Sequence, residues 1–304
     1  MQFIKRILII IFLILQETSF AQNPYMMVLG VAQDGGFPQA NCQKECCKAV
    51  FAQKIAKQFV SCIAVIDPIS KDKWIFDATP DFTQQFHLLN QESTEGKISI
   101  FLTHAHIGHY TGLMYLGREA MGTNKTKVYV MPKMRSFIEK NGPWSQLVSL
   151  QNIDLQPIKE DSIVVLNERL SVLAFKVPHR DEFSETVGYK IFTKNKSLIF
   201  IPDIDKWQKW NRNLEEMIKS VDYAFLDGTF YKDGEINRPM SEVPHPFVTE
   251  TMDLLKNLPA TEKAKVHFIH FNHTNPVMNP KSLENKEVRQ KGFKVAFQGE
   301  KVGL

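Results

Sequence analysis

Three of the nine histidines of this 304-residue chain stand within six residues, at His104, His106 and His109. A neutral imidazole is the commonest protein ligand for zinc and similar ions. The apolar, β-branched run at 98–102 reads as a strand leading into the triplet, and 110–121 reads as a helix leading out. Successive side chains of a strand alternate faces, so His104 and His106 share one face. His109, three residues further on at a helix start, can swing back toward them. The triplet therefore reads as the heart of a metal site rather than as three surface imidazoles.

Other residues fit the same chemistry, each at the end of an apolar run. His179 follows a strand at 170–177, and Asp203 follows one at 197–201, with Asp205 as a competing carboxylate. Asp227 follows a strand at 223–226, and His270 ends one at 266–270. By strand alternation His267 faces away from His270 and reads as structural. His245 precedes a helix at 247–255, and His273 follows His270 closely. Cys42, Cys46 and Cys47 lie within six residues and suit either a structural zinc site or a disulfide. Cys62 reads as core, with pairing to one of the other three left open.

The triplet resembles the metal-binding motif of the metallo-β-lactamase fold, normally His-x-His-x-Asp-His, and departs from it at Gly108. A narrower resemblance lies in 28–47, with its Leu-Gly strand end, its glycine-rich loop ending in Phe37-Pro38-Gln39, and Asn41-Cys42. The run from His270 to Pro276 adds to it. Both segments resemble the pyrroloquinoline quinone biosynthesis protein B (PqqB) family. This resemblance implies an α/β (α+β) four-layer αβ/βα sandwich of the metallo-β-lactamase type, with two mixed sheets and helices on the outer faces. It implies one metal position formed by His104, His106, His179 and Asp203, and a second formed by His109, Asp203 and His270. Glycine offers no ligand, so the second position is expected to be short of one donor. An aspartate placed at 108 is expected to raise its occupancy.

By the same resemblance Asp227 supports the site without binding metal. Asp77 reads either as such a support or as a helix N-cap or turn residue. His245 reads as a proton-handling residue or as a helix-start surface histidine, and His273 as a pocket acid/base or as a residue that flanks the pocket. The donors suit one or two zinc ions, and suit iron or manganese as well.

The remaining pattern supplies the scaffold. Strands are expected at 25–32, 61–66, 73–76, 127–131, 187–192 and 293–297, the second and third forming a hairpin. Helices are expected at 49–59, 81–89, 132–140 and 208–220, with His87 on the surface of the second. Residues 141–161 read as irregular.

Lys5 and Arg6 precede an apolar run at 7–15, and Ser19-Phe20-Ala21 closes it, the layout of a secretory leader at 1–21 ahead of one domain at 22–304. The apolar run is too short to span a bilayer comfortably, so no stable membrane insertion is expected after cleavage, and the location reads as periplasmic or secreted. Composition is that of a globular protein, 43% hydrophobic and 23% charged. A net charge of +4 spread over scattered lysines does not point to nucleic acid. The expected function is an exported metal-dependent hydrolase, using metal-activated water on a phosphoryl or acyl ester of a small molecule. The alternatives are a PqqB-like iron-dependent oxidoreductase and a non-catalytic metal-binding protein.

Overall fold

Alternation of apolar residues builds the first sheet. In β1 (Tyr25–Gly30), Met26 and Val28 face one apolar cluster while Met27 and Leu29 face another. In β2 (Cys62–Ile66), Ile63 and Val65 divide from Cys62, Ala64 and Ile66 in the same way. A strand that buries both faces belongs inside a layered structure. The description that follows is of a computed structural model covering residues 23–237 and 239–304. The expected leader lies outside the described residues.

β3 (Lys73–Phe76), β4 (Ile98–Phe101), β5 (Thr126–Val130) and β6 (Ile153–Pro157) continue the first sheet, and β14 (Lys301–Gly303) closes it beside β1. The second sheet also has seven strands: β7 (Ile163–Val165), β8 (Ser171–Lys176), β9 (Val187–Phe192), β10 (Ser197–Ile201), β11 (Tyr223–Asp227), β12 (Val266–Ile269) and β13 (Lys294–Val295). Each sheet is mixed. β3 to β6 and β10 to β13 run parallel, and the remaining neighbours are antiparallel.

Parallel neighbours need crossovers, and helices supply them. α1 (Glu45–Phe51) lies between β1 and β2. α2 (Phe82–Glu92) links β3 to β4, and the single turn α3 (Ile107–Tyr110) follows β4. α4 (Pro132–Lys140) and α5 (Trp144–Ser149) link β5 to β6. In the second half α6 (Leu214–Lys219), α7 (Val248–Leu254), α8 (Ala260–Lys263) and α9 (Leu283–Gln290) play the same part. The result is two mixed sheets flanked by helices, the α/β sandwich that the resemblance implies. Tyr189 of β9 joins the sheets. Its ring meets Phe76 and Phe101 edge-on at 5.3 and 5.5 Å, and its hydroxyl donates to the Leu102 carbonyl at 2.5 Å.

Several elements differ from expectation for identifiable reasons. The helix expected at 49–59 stops at Phe51, because Gln58 and Val60 pair with Phe37 and Ala32 instead. The helix expected at 110–121 is a 3-10 segment after α3. The His109 carbonyl accepts from Ala78 and the Gly112 amide donates to Ala78, so this backbone holds the Asp77 loop. The stretch 141–161 contains α5 and β6. β6 has only Ile153 and Leu155 as its buried apolar alternation, which is little signal. The helix expected at 208–220 begins at Leu214, where Asn213 caps it by accepting from the Glu216 amide. The last expected strand shortens to β13, and β14 lies beyond it.

At the end of the sheets away from the histidines, Asp67 is 2% exposed and accepts from Ile69 N at 2.9 Å and Asn167 Nδ2 at 2.8 Å. Its carboxylate also pairs with the Arg169 guanidinium, tying the β2–β3 turn to the β7–β8 turn. Burial pushes this carboxyl upward, but Arg169 and the donated amides hold it below its usual 3.8. A depressed carboxyl stabilises the fold above its unfolded value and loses that contribution as pH falls through its folded value. Asp67→Asn should therefore lower stability at neutral pH by about 1–3 kcal/mol, the range for stranding buried polar partners. It should also flatten the decline in stability below about pH 4, read by denaturant unfolding at several pH values.

Candidate metal centre

The chemistry-bearing side chains leave the C-terminal ends of strands from both sheets, where ligands of open α/β sheets bind. β3 ends at Asp77. β4 ends in the loop that carries Thr103, His104 and His106 into α3 and His109. β8 ends ahead of His179, β10 ahead of Asp203, β11 at Asp227, and β12 ahead of His270. Asp77 and His270 hold left-handed backbone, with φ of 75° and 67°. Such strain in non-glycine residues gathers at functional sites.

Asp203 is the hub and is 2% exposed. Its Oδ2 lies 2.8 Å from His109 Nε2, 3.2 Å from His270 Nε2 and 3.6 Å from His104 Nε2. Its Oδ1 lies 3.4 Å from His245 Nδ1 and 3.8 Å from His179 Nε2. Four overlapping donor groups result, each with its ligand atoms within 4.8 Å of one another. They are His104, His106 and His179; Asp34, His109, Asp203 and His270; His179, Asp203 and His245; and Asp227, His245 and His270. Asp203 Oδ2 is buried yet takes no well-directed hydrogen bond, and His179 Nδ1 is equally unpartnered. Buried carboxylates normally find such partners or a cation. Nitrogen and carboxylate donors gathered around an unsatisfied oxygen fit a metal ion.

A second ring of groups aims the imidazoles. His109 Nδ1 lies 2.7 Å from Asp77 Oδ2, which leaves Nε2 for the centre. Asp77 in turn accepts from the Thr103 amide at 2.8 Å and the Thr103 hydroxyl at 2.9 Å. His270 Nδ1 meets the Thr229 hydroxyl at 2.9 Å, and that hydroxyl donates to Asp227 Oδ1 at 2.7 Å. Asp227 Oδ2 lies 2.8 Å from His245 Nδ1. Carboxylate partners of this kind fix the tautomer and orientation of metal-binding histidines. Burial, with His109 nearby, keeps His104 well below its usual pKa, and burial takes His179 down to about 4, so both present neutral lone pairs. Burial also opposes charge on His109, but Asp77 and Asp34 overcome it and raise its pKa.

Thus His104, His106, His109, His179, Asp203 and His270 converge as the sequence implies, with His245 beside them. Asp77 and Asp227 meet the Nδ1 atoms of His109 and His245. Asp205 does not join them: it pairs with Lys209 at 2.7 Å and accepts from the Lys206 amide. His87 meets Gln91 on α2, and His267 packs on Phe225.

Two expectations need correction. His273 is not at the histidine centre as an acid/base. Its Nδ1 meets Asn272 Oδ1 at 2.8 Å, and its ring joins Cys42 and Cys47 in a separate cluster within 4.8 Å. The second donor group is also not one carboxylate short. Asp34, whose Oδ1 is 2.9 Å from His109 Nε2 and 3.3 Å from His270 Nε2, completes it. Sequence reasoning missed Asp34 because Gln33-Asp34-Gly35-Gly36 reads as a turn, where aspartate needs no other explanation.

The cysteines are free thiols. Cys46 Sγ and Cys47 Sγ lie 4.0 Å apart, and Cys47 accepts from the Gln39 amide. Cys62 belongs to another apolar cluster, with Leu29, Ile75 and Ile100, and donates to the Asp77 carbonyl at 3.3 Å. It is free as well, so the pairing with Cys62 that the sequence left open is not formed.

Comparison with known proteins defines the class. The family profile described as the beta-lactamase superfamily domain matches residues 73–270, and the chain belongs to that superfamily. Within it the chain is PqqB-like. It is 26% identical to the coenzyme PQQ synthesis protein B of Gluconobacter oxydans (strain 621H), over 90% of this chain and 96% of the relative. It is 26% identical to that of Klebsiella pneumoniae, over 92% and 98%. The crystal structure of Zn(2+)-bound PqqB from Methylobacterium extorquens superposes with a TM-score of 0.78 at 24% identity, covering 92% of this chain and 100% of that one. A diphosphatase from the PhnP family superposes with a TM-score of 0.66 at 18% identity, covering 93% and 97%. Matches to coenzyme-synthesis proteins along nine-tenths of the chain overturn the expectation of an exported hydrolase, and with it the periplasmic or secreted location. Among the described residues no helix is long and apolar enough to cross a membrane.

Burial raises the Cys47 thiol to about 12 and the Cys62 thiol well above its usual value, whereas the Lys44 amide and the neighbouring thiols lower Cys42 against its own burial. The thiolate is the reactive form. A disulfide-exchange reagent at about pH 8 should therefore label Cys42 first in the native, metal-free protein. All four cysteines should react in denaturant without reductant; fewer would mean a disulfide.

Proposed function

We propose that this chain is a PqqB-like metalloenzyme that oxidises a small-molecule precursor in coenzyme assembly. One ion is held by His104, His106, His179 and Asp203, and a second at His109, Asp203 and His270 with Asp34 beside them. The observation that carries the reading is the crowding of five imidazoles within 3.8 Å of the two oxygens of one buried carboxylate. Full-length similarity to coenzyme PQQ synthesis protein B supports the biosynthetic setting.

Three imidazoles with a carboxylate suit zinc, the ion named for the Methylobacterium extorquens structure. Imidazole and carboxylate donors with open positions suit iron(II) as well. When bound, the ions supply Lewis acidity and, as iron, one-electron chemistry with dioxygen.

The chain's own residues do the rest. Asp77 keeps His109 Nε2 turned inward. Asp227 holds His245 through Nδ1, so this imidazole stores a proton beside Asp203. His106 has the most open side chain of the ligand histidines at 12% exposed, and it faces Glu182, so substrate enters from that side. Cys42, Cys47 and His273, with Cys46 adjacent, hold a separate structural ion that stiffens the loop before α1.

The test begins with elemental analysis of full-length protein purified without added metal. The protein is then reloaded with iron(II) or zinc, and dioxygen uptake is measured over a panel of small molecules. Iron-dependent uptake with product formation is expected. Zinc-dependent turnover of a parallel phosphodiester panel without uptake would count for hydrolysis, and absence of metal for a non-catalytic role. His104→Ala should lose at least one ion per chain and all activity. Wild-type metal content in that variant would refute the ligand assignment.

A further inference from the structure

Gly108 sits in the first turn of α3, and its backbone is not in the left-handed region that favours glycine. Glycine is also a poor helix former, so local structure gives no reason for it there. Space does. A Cβ built on Gly108 would lie 2.4 Å from Asp34 Oδ1 and 2.7 Å from both Asp34 Cα and Cγ. No side chain at 108 fits while Asp34 occupies this place.

The Asp34 loop is fixed by the ligand strand itself. The Gln33 amide donates to the Phe271 carbonyl at 2.8 Å, and the Phe271 amide donates to the Val31 carbonyl at 2.7 Å. Ala32 forms parallel bridges to both Val60 and Phe271. Asp34 is therefore delivered beside His270 by backbone pairing on the residue that follows His270. It faces the buried, unpartnered Asp203 Oδ2 across His109 and His270.

We propose that Asp34 and Gly108 form a reciprocal exchange. The carboxylate that the histidine motif lacks is delivered to the second metal position by the loop after β1, and Gly108 is the vacancy that admits it. The proposal rests on the metal-centre reading above. It replaces the expectation that an aspartate at 108 simply adds a donor: a side chain at 108 collides with Asp34 from its Cβ onward.

The test uses the full chain reloaded with manganese(II), which the cysteine cluster disfavours because thiolate is a soft ligand. Manganese per chain is counted, and the electron paramagnetic resonance spectrum reports whether two ions are spin-coupled through a shared carboxylate. Wild type should hold a coupled pair. Asp34→Gly should lose one ion and show the spectrum of an isolated one. Asp34→Asn, which keeps the shape of the side chain, should bind the second ion at least tenfold more weakly. Gly108→Asp alone should also lose the coupled pair. Circular dichroism confirms the fold of each protein.

A coupled pair retained at wild-type affinity in Asp34→Gly or Asp34→Asn would overturn the proposal. So would a gain of metal in Gly108→Asp alone. If wild type itself binds no manganese, zinc or iron at the histidines, the metal-centre reading fails instead. Loss of metal in His109→Ala with retention in both Asp34 variants refutes only the exchange.

Discussion

Everything at the active end of this molecule answers to one constraint, the burial of the Asp203 carboxylate. An ionised carboxylate removed from water carries a penalty of several kcal/mol unless positive charge or hydrogen bonds replace its solvent. Here imidazoles from β4, β8 and β12 and from the segment before α7 crowd its two oxygens, and one oxygen still lacks a hydrogen bond. Asp34, Asp77 and Asp227 add further carboxylates around the same imidazoles. Such an assembly is satisfied by cations. The two-sheet framework brings strand ends from distant parts of the chain to one edge and holds them there.

The scaffold was legible where burial leaves a plain pattern. β9 and β10 match the runs expected at 187–192 and 197–201, because both are nearly continuous apolar segments bounded by polar turns. α4 matches 132–140, with proline at its first turn. Elements at the margins were not legible. β6 and β7 are short edge-side strands with weak alternation, and β14 is a three-residue strand made by pairing with β1. The helix expected after the histidine motif failed because its backbone is committed to a neighbouring loop, a tertiary demand that local pattern does not carry.

The site was legible to the extent that its residues follow strands. His179, Asp203 and His270 are recognisable because each terminates an apolar run at which a polar group needs a reason to be. Asp34 is not: aspartate before two glycines is ordinary turn chemistry, and only the spatial approach of two loops gives it another role. His273 shows the reverse error. Proximity in sequence to His270 suggested a shared site, but the turn through Asn272 directs its ring to the cysteines. Counting donors along a motif therefore underestimates this centre, and counting them in space completes it.

The route by which Asp34 arrives has a consequence for how the molecule matures. Asp34 and His270 are 236 residues apart, and β1, which carries Asp34 toward the centre, is itself flanked by β14 at the very end of the chain. Contacts of such long sequence separation form late and slowly in folding. The second pocket therefore closes only when the loop after β1 has paired with the segment that follows His270, so its geometry belongs to the fold as a whole and not to the histidine loop alone.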